Sequence, residues 1–178
     1  MRARPLHTLL LWLTFASGAL AQSFAGLGTD ADGYGAVTPD TVLQFPADHQ
    51  AHPAYRSEWW YLTANLETAD GTPMGIQWTL FRQAGAPADT ETGWRSAQIW
   101  MGHAAVTTPT QHYVGELFAR GGIGQAGVAA QPFSAWIDDW QMRGADDSFA
   151  ALTLTARGQD FSYALDLTAH GPLVLHGE

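Results

Sequence analysis

The stretch SEWWYLTANLETADGTPMGIQWTLFRQ, Ser57 to Gln83, limits the possible folds more than any other part of the chain. It holds two runs of alternating character, Arg56–Leu66 and Met74–Arg82, around a polar loop. Alternate residues of a strand share a face, so period two with aromatic and β-branched residues predicts a β-hairpin. One face of the first run carries Glu58, Trp60, Leu62, Ala64 and Leu66. The matching face of the second carries Met74, Ile76, Trp78, Leu80 and Arg82. These faces coincide only if paired positions sum to an even number, because a one-residue slip turns every side chain over. A three-residue loop, Ala69-Asp70-Gly71, meets that condition and puts glycine where such loops favour positive φ. A two-residue Asp70-Gly71 turn fails it. The predicted pairs are Trp60–Leu80, Leu62–Trp78, Ala64–Ile76 and Leu66–Met74, with Glu58 opposite Arg82.

Further strands are predicted at Ala97–Thr107, Phe133–Met142, Phe149–Ala156 and Phe161–Thr168, and another starts at Leu173–His176. His112–Ala119 is open between strand and short helix. No long stretch has a 3.6-residue period. Consecutive strands with short connections imply an all-β antiparallel meander, closed as a barrel or stacked as a sandwich. No internal repeat or linker divides it.

Residues 1–21 read as an export signal. Arg2 and Arg4 precede an apolar stretch, Thr8 to Leu20, and Ala19-Leu20-Ala21 is a cleavage site before Gln22. The expected product is periplasmic or secreted. Residues 22–41, rich in Gly, Asp and Ala, read as a loose arm, and 42–178 as one domain. There is no cysteine, which excludes disulfides and thiolate chemistry. Without Arg2 and Arg4 the chain keeps six basic residues, all Arg, against 17 acidic ones. Such a surface repels phosphate backbones, so nucleic acid is not an expected partner.

The placement of one acid and one base beside apolar residues has two readings. Glu58–Arg82 is a salt bridge closing one end of the barrel, or Arg82 holds Glu58 ionised in a pocket as a general base or orienting group. The opposite hairpin face, with Trp59, Tyr61, Thr63 and Asn65, mixes aromatic and hydrogen-bonding groups and suits a ligand cavity. His103, among Ile99, Met101 and Ala105, reads as a core histidine or as a group that moves a proton. Asp138, by alternation between Trp136 and Trp140, is either desolvated or a solvated turn residue. His49 and His52 precede Pro53 and read as a turn device or a lid. No metal or cofactor is expected. Gly122 to Gly127 matches G-x-G-x-x-G, but strands rather than a long helix follow, so a dinucleotide site is rejected. No serine-nucleophile signature is present.

Several segments carry a family resemblance. Phe45 to Tyr61 (FPADHQAHPAYRSEWWY), IQWTLFR at 76–82, MGHAAVT at 101–107, FARGGIGQAG at 118–127, DDWQM at 138–142 and LVLHGE at 173–178 resemble the AttH/CrtC family of lipocalin-like proteins. The resemblance implies a lipocalin-like β-barrel, the first of two such domains, with the chain ending before the second. Carotenoid 1,2-hydratases are in that family, and related bacterial loci pair an AttH-type protein with an ABC transporter. Three functions follow as expectations. The first is binding of a hydrophobic, isoprenoid- or acyl-type molecule, with Trp59, Tyr61, Trp78 and Trp100 as lining and Arg82 as a polar fixture. The second is hydration of an alkene, with Glu58, His103 and Asp138 as candidate catalytic groups. The third is an accessory role beside an ABC transporter permease or a second lipocalin-like domain.

Overall fold

A computed structural model describes residues 32–87, 91–172 and 174; the proposed export signal and most of the 173–178 motif lie outside them. Nine strands follow in order: β1 Ser57–Glu67, β2 Pro73–Ala84, β3 Gln98–Thr107, β4 His112–Arg120, β5 Ala126–Ala130, β6 Phe133–Ile137, β7 Trp140–Gly144, β8 Ala151–Arg157 and β9 Ser162–Thr168. They form two antiparallel meanders, β1-β2-β3-β4 and β5-β6-β7-β8-β9. The all-β expectation holds, and the ladders of the described residues form two sheets rather than one continuous ring.

The first hairpin has the register that parity demands. Glu58 pairs with Arg82, Trp60 with Leu80, Leu62 with Trp78 and Ala64 with Ile76. The Gly71 amide donates to the Thr68 carbonyl at 2.9 Å, and Gly71 has φ 83. A residue with a Cβ is strained at that angle, which is why the loop needs glycine.

The even-numbered face of this hairpin turns inward. Trp78, Leu80, Phe133, Ile137, Trp140 and Leu154 are fully buried between the sheets, so side chains fill the interior. Glycine makes the closest approach possible: a Cβ on Gly102 would lie 2.8 Å from Ile137 Cγ2 and 3.2 Å from the Trp140 ring. Trp140 thereby packs against backbone, and its indole N–H is satisfied by the Arg157 carbonyl at 2.9 Å. A buried donor would otherwise lose its water without replacement.

Three local expectations change. His112–Ala119, left open, is strand β4. The predicted single strand Phe133–Met142 is two strands, because Asp138 and Asp139 form a two-residue turn between Ile137 and its partner Trp140. Asp138 adopts φ 51, a conformation that a short polar side chain tolerates better than most, and its amide donates to the Gln125 carbonyl at 2.9 Å. Strand β5 was not expected, since its residues, AGVAA, carry little strand signal of their own.

Gly102→Val should destabilise the chain by about 1–3 kcal/mol through overpacking. Leu80→Ala should cost about 2–5 kcal/mol through a cavity. The exposed Thr63→Ala should stay within about 0.5 kcal/mol. Urea unfolding of the three variants checks this ranking.

Candidate functional site

The site grows from Arg82, near the end of β2. Its side chain is only 2% exposed, so each N–H needs a protein acceptor. Nε donates to Glu58 Oε2 at 2.8 Å. Nη1 donates to Gln98 Oε1 at 2.6 Å. Nη2 donates to the carbonyls of His52 and Tyr55 at 2.9 and 2.7 Å. One guanidinium thus joins β1, β2, β3 and the segment before β1.

Glu58 is held from the other side by His52. The His52 amide donates to Oε2 at 2.8 Å, and its Nδ1 lies 2.6 Å from Oε1. The far nitrogen, Nε2, lies 3.2 Å from Asp48 Oδ1. The imidazole therefore bridges two carboxylates, with both nitrogens engaged. Burial works against its charge, but the hydrogen bonds to Glu58 and Asp48 outweigh burial and raise its pKa above the usual 6.5. The Gln44 amide, then His52, hold Asp48 below the usual carboxylate range. Both His52 nitrogens are taken up by carboxylates, and no metal-binding group of three or more such side chains is found among the described residues.

His49 serves the same segment differently. Its ring packs on Phe45 and Phe149 at 4.4 and 4.0 Å, and burial lowers its pKa. Its carbonyl accepts the Trp60 indole N–H at 2.9 Å. The turn-device reading describes His49 well, whereas His52 belongs to the charged cluster.

Above this cluster opens a cleft of about 900 Å³. Val37, Val42, Leu43, Trp59 and Trp60 are its apolar lining, Asp48, His52, Arg56 and Glu58 its charged groups, and Thr41, Gln50, Tyr55 and Ser57 add neutral polar ones. Apolar and aromatic side chains beside polar groups that can fix orientation suit a small amphiphilic molecule. Clefts beside Phe118 and His103 are less than half as large, about 420 and 410 Å³.

The residues expected to line one cavity are divided by strand alternation. Trp78 and Trp100 point inward and are closed in the core. Trp59 and Tyr61 point outward and are 58% and 60% exposed. Of these four, only Trp59 borders the large cleft. His103 also faces outward, with Nε2 3.0 Å from Glu116 and its ring edge-on to Phe81. Asp138 lies exposed in the β6–β7 turn, which is the solvated-turn reading, and the alternative that desolvates it between Trp136 and Trp140 is corrected. Glu58 and Arg82 come together as the register predicted, and His103 and Asp138 do not join them. Sequence reasoning missed His52, Asp48 and Arg56 as parts of this group. The run DHQAH just upstream of Glu58 was the available signal, but parity cannot place residues outside a strand.

The model of the AttH-like family matches residues 36–178. The chain belongs to that family. A crystal structure assigned to AttH from Nitrosomonas europaea superposes with a TM-score of 0.66 at 31% identity, over 80% of this chain and 42% of that one. This AttH-like chain therefore spans less than half the length of that relative. No curated protein matches it.

The His52 bridge has a definite pH signature. A pKa raised by folding contributes stability that is full below 6.5 and lost as pH rises through the folded value. Asp48 acts oppositely: its contribution is full above 3.8 and lost as pH falls through its lowered value. Stability from urea melts should therefore decline as pH rises past about 6.5. His52→Gln should flatten that decline and leave the acid limb in place.

Proposed function

We propose that this AttH-like protein is an exported binding protein for a hydrophobic, acyl- or isoprenoid-type small molecule. The observation that carries the reading is the 900 Å³ cleft, whose lining combines apolar and aromatic residues with a fixed charged cluster. The polar cluster is pre-organised, since Arg82 and Glu58 are locked by six hydrogen bonds within the protein before any ligand arrives. Pre-organisation lowers the entropy lost on binding. Export rests on the residue pattern at 1–21. Hydration of an alkene finds less support: His103 and Asp138 stand apart from Glu58, and the Glu58 carboxylate is engaged by donors on both oxygens.

A second reading, association with a second lipocalin-like domain or a transporter permease, draws on the outer face of the first sheet. Tyr61, Ile99, Val114 and Phe118 are each more than half exposed there. On the same face Trp59, Phe81, Met101 and Phe118 form one cross-strand row, and an apolar row with exposed ends suits a protein partner.

Tryptophan fluorescence of the chain beginning at Gln22, titrated with retinol and with dodecanoate, tests the binding reading. Saturable quenching is expected with at least one of them, weakened about tenfold by Leu43→Asp, which puts a charge on an apolar wall. A folded chain showing no saturable change would refute it. For the second reading, sedimentation should detect self-association of the wild type at high concentration, reduced in Ile99→Ser/Phe118→Ser. A wild type that stays monomeric throughout would count against it.

A further inference from the structure

We infer that the cleft takes an amphiphile with an anionic head, and that Arg56 pairs with that head. The inference rests on the binding reading above and adds the chemistry of the ligand's polar end.

Arg56 directly precedes β1 and forms part of the cleft wall. Its guanidinium carbon lies 5.4 Å from the centre of the Tyr34 ring. Tyr34 is itself anchored, its hydroxyl donating to the Ala84 carbonyl at 3.1 Å. One face of the guanidinium is thus covered by an aromatic ring, which leaves its in-plane N–H groups as the means of recognition. Nε is buried and has no acceptor among the described residues. Buried donors are almost always paired; Trp78 Nε1 and His103 Nε2 also lack a hydrogen-bond partner among the described residues, but of the three residues only Arg56 borders the 900 Å³ cleft, where an acceptor can come from outside.

The acids in the same wall are already engaged. Glu58 is held by Arg82 and His52, and Asp48 by the Gln44 amide and His52. With His52 protonated, three cations, His52, Arg56 and Arg82, face two carboxylates. The surplus positive charge falls on Arg56, in a chain whose formal net charge is −9. That overall charge repels small anions at a distance, so a site here gains little from long-range steering. Retention depends on contact. A free inorganic anion would leave Val37, Val42, Leu43 and Trp59 without a partner, and a neutral lipid, though its oxygen could accept a hydrogen bond, would leave the Arg56 charge without a counter-charge. A long-chain carboxylate satisfies both sets. Arg is suited to such a head because its donors form a planar fork that matches a carboxylate.

Three probes separate the possibilities: dodecanoate, dodecanol and dodecyltrimethylammonium. Each is titrated below its micelle concentration into wild type, Arg56→Met and Arg56→Lys, with circular dichroism as the fold check. Wild type should bind dodecanoate about tenfold or more tighter than dodecanol, as a charge-assisted pair in a half-buried site requires. The cationic probe should bind most weakly. Arg56→Met should bind acid and alcohol alike, and Arg56→Lys should keep part of the preference. Equal affinity of wild type for acid and alcohol would overturn the inference and leave the binding reading intact. So would a preference that survives in folded Arg56→Met. If none of the three probes binds folded wild type, the binding reading fails, and this inference with it. The wild-type comparison decides even if a variant does not fold.

Discussion

The structure depends on one buried guanidinium. Arg82 satisfies Glu58 across the hairpin, Gln98 on the next strand, and two carbonyls of the segment before β1. Replacing a buried ion pair by apolar residues is often neutral, but removing one partner alone costs about 3–5 kcal/mol. Arg82 and Glu58 therefore act as a unit. The pair adds definition more than net stability. The His52 and Tyr55 carbonyls are given a donor fixed in the sheet, and the chain between them follows. The cleft wall exists because that segment cannot drift away.

The rest of the segment is fastened by different chemistry. His49 is clasped by Phe45 and Phe149, and Trp60 hydrogen-bonds its carbonyl while stacking on Trp100 in the core. The apolar interior thus reaches the cleft through Trp60, and the charged node reaches it through His52. His52 gains its proton affinity from the same two carboxylates that position it. This ties the wall's stability to pH in a range where few other side chains titrate. Opposite, the sheets meet closely enough at Gly102 that Trp140 fills the space a side chain would take. That leaves little interior volume, which is consistent with a ligand site at the rim rather than between the sheets.

What the sequence made legible follows from where geometry is local. Alternation and parity set the register of β1 and β2, and with it the meeting of Glu58 and Arg82. The same alternation separates Trp78 and Trp100 from Trp59 and Tyr61, so a single cavity lined by all four was never compatible with that register. Asp138 misled because the run from Phe133 to Met142 keeps its alternation through a turn of two aspartates. Strand β5 was invisible because small residues gain their strand character from the neighbours they pair with. His52, Asp48 and Arg56 were hidden for a further reason. Asp48 and His52 sit in irregular chain, where no period assigns a direction, and Arg82 holds the backbone there through the His52 and Tyr55 carbonyls, while Arg56, at the start of the predicted strand, is placed by the Ala84 amide on its carbonyl.

The central claim is that Arg82 holds the segment before β1 onto the sheet. Native-state hydrogen exchange of wild type and Arg82→Met tests it most directly. The amides to follow are His52, which donates to Glu58, and Gly35 and Tyr55, which donate to neighbouring carbonyls in the same region. These three should lose most of their protection in the variant, while amides inside the β2–β3 ladder keep theirs apart from the loss of global stability. If all amides fell by the same factor, or if His52 and Tyr55 kept their protection without Arg82, the segment would be held by something else and the account would be wrong.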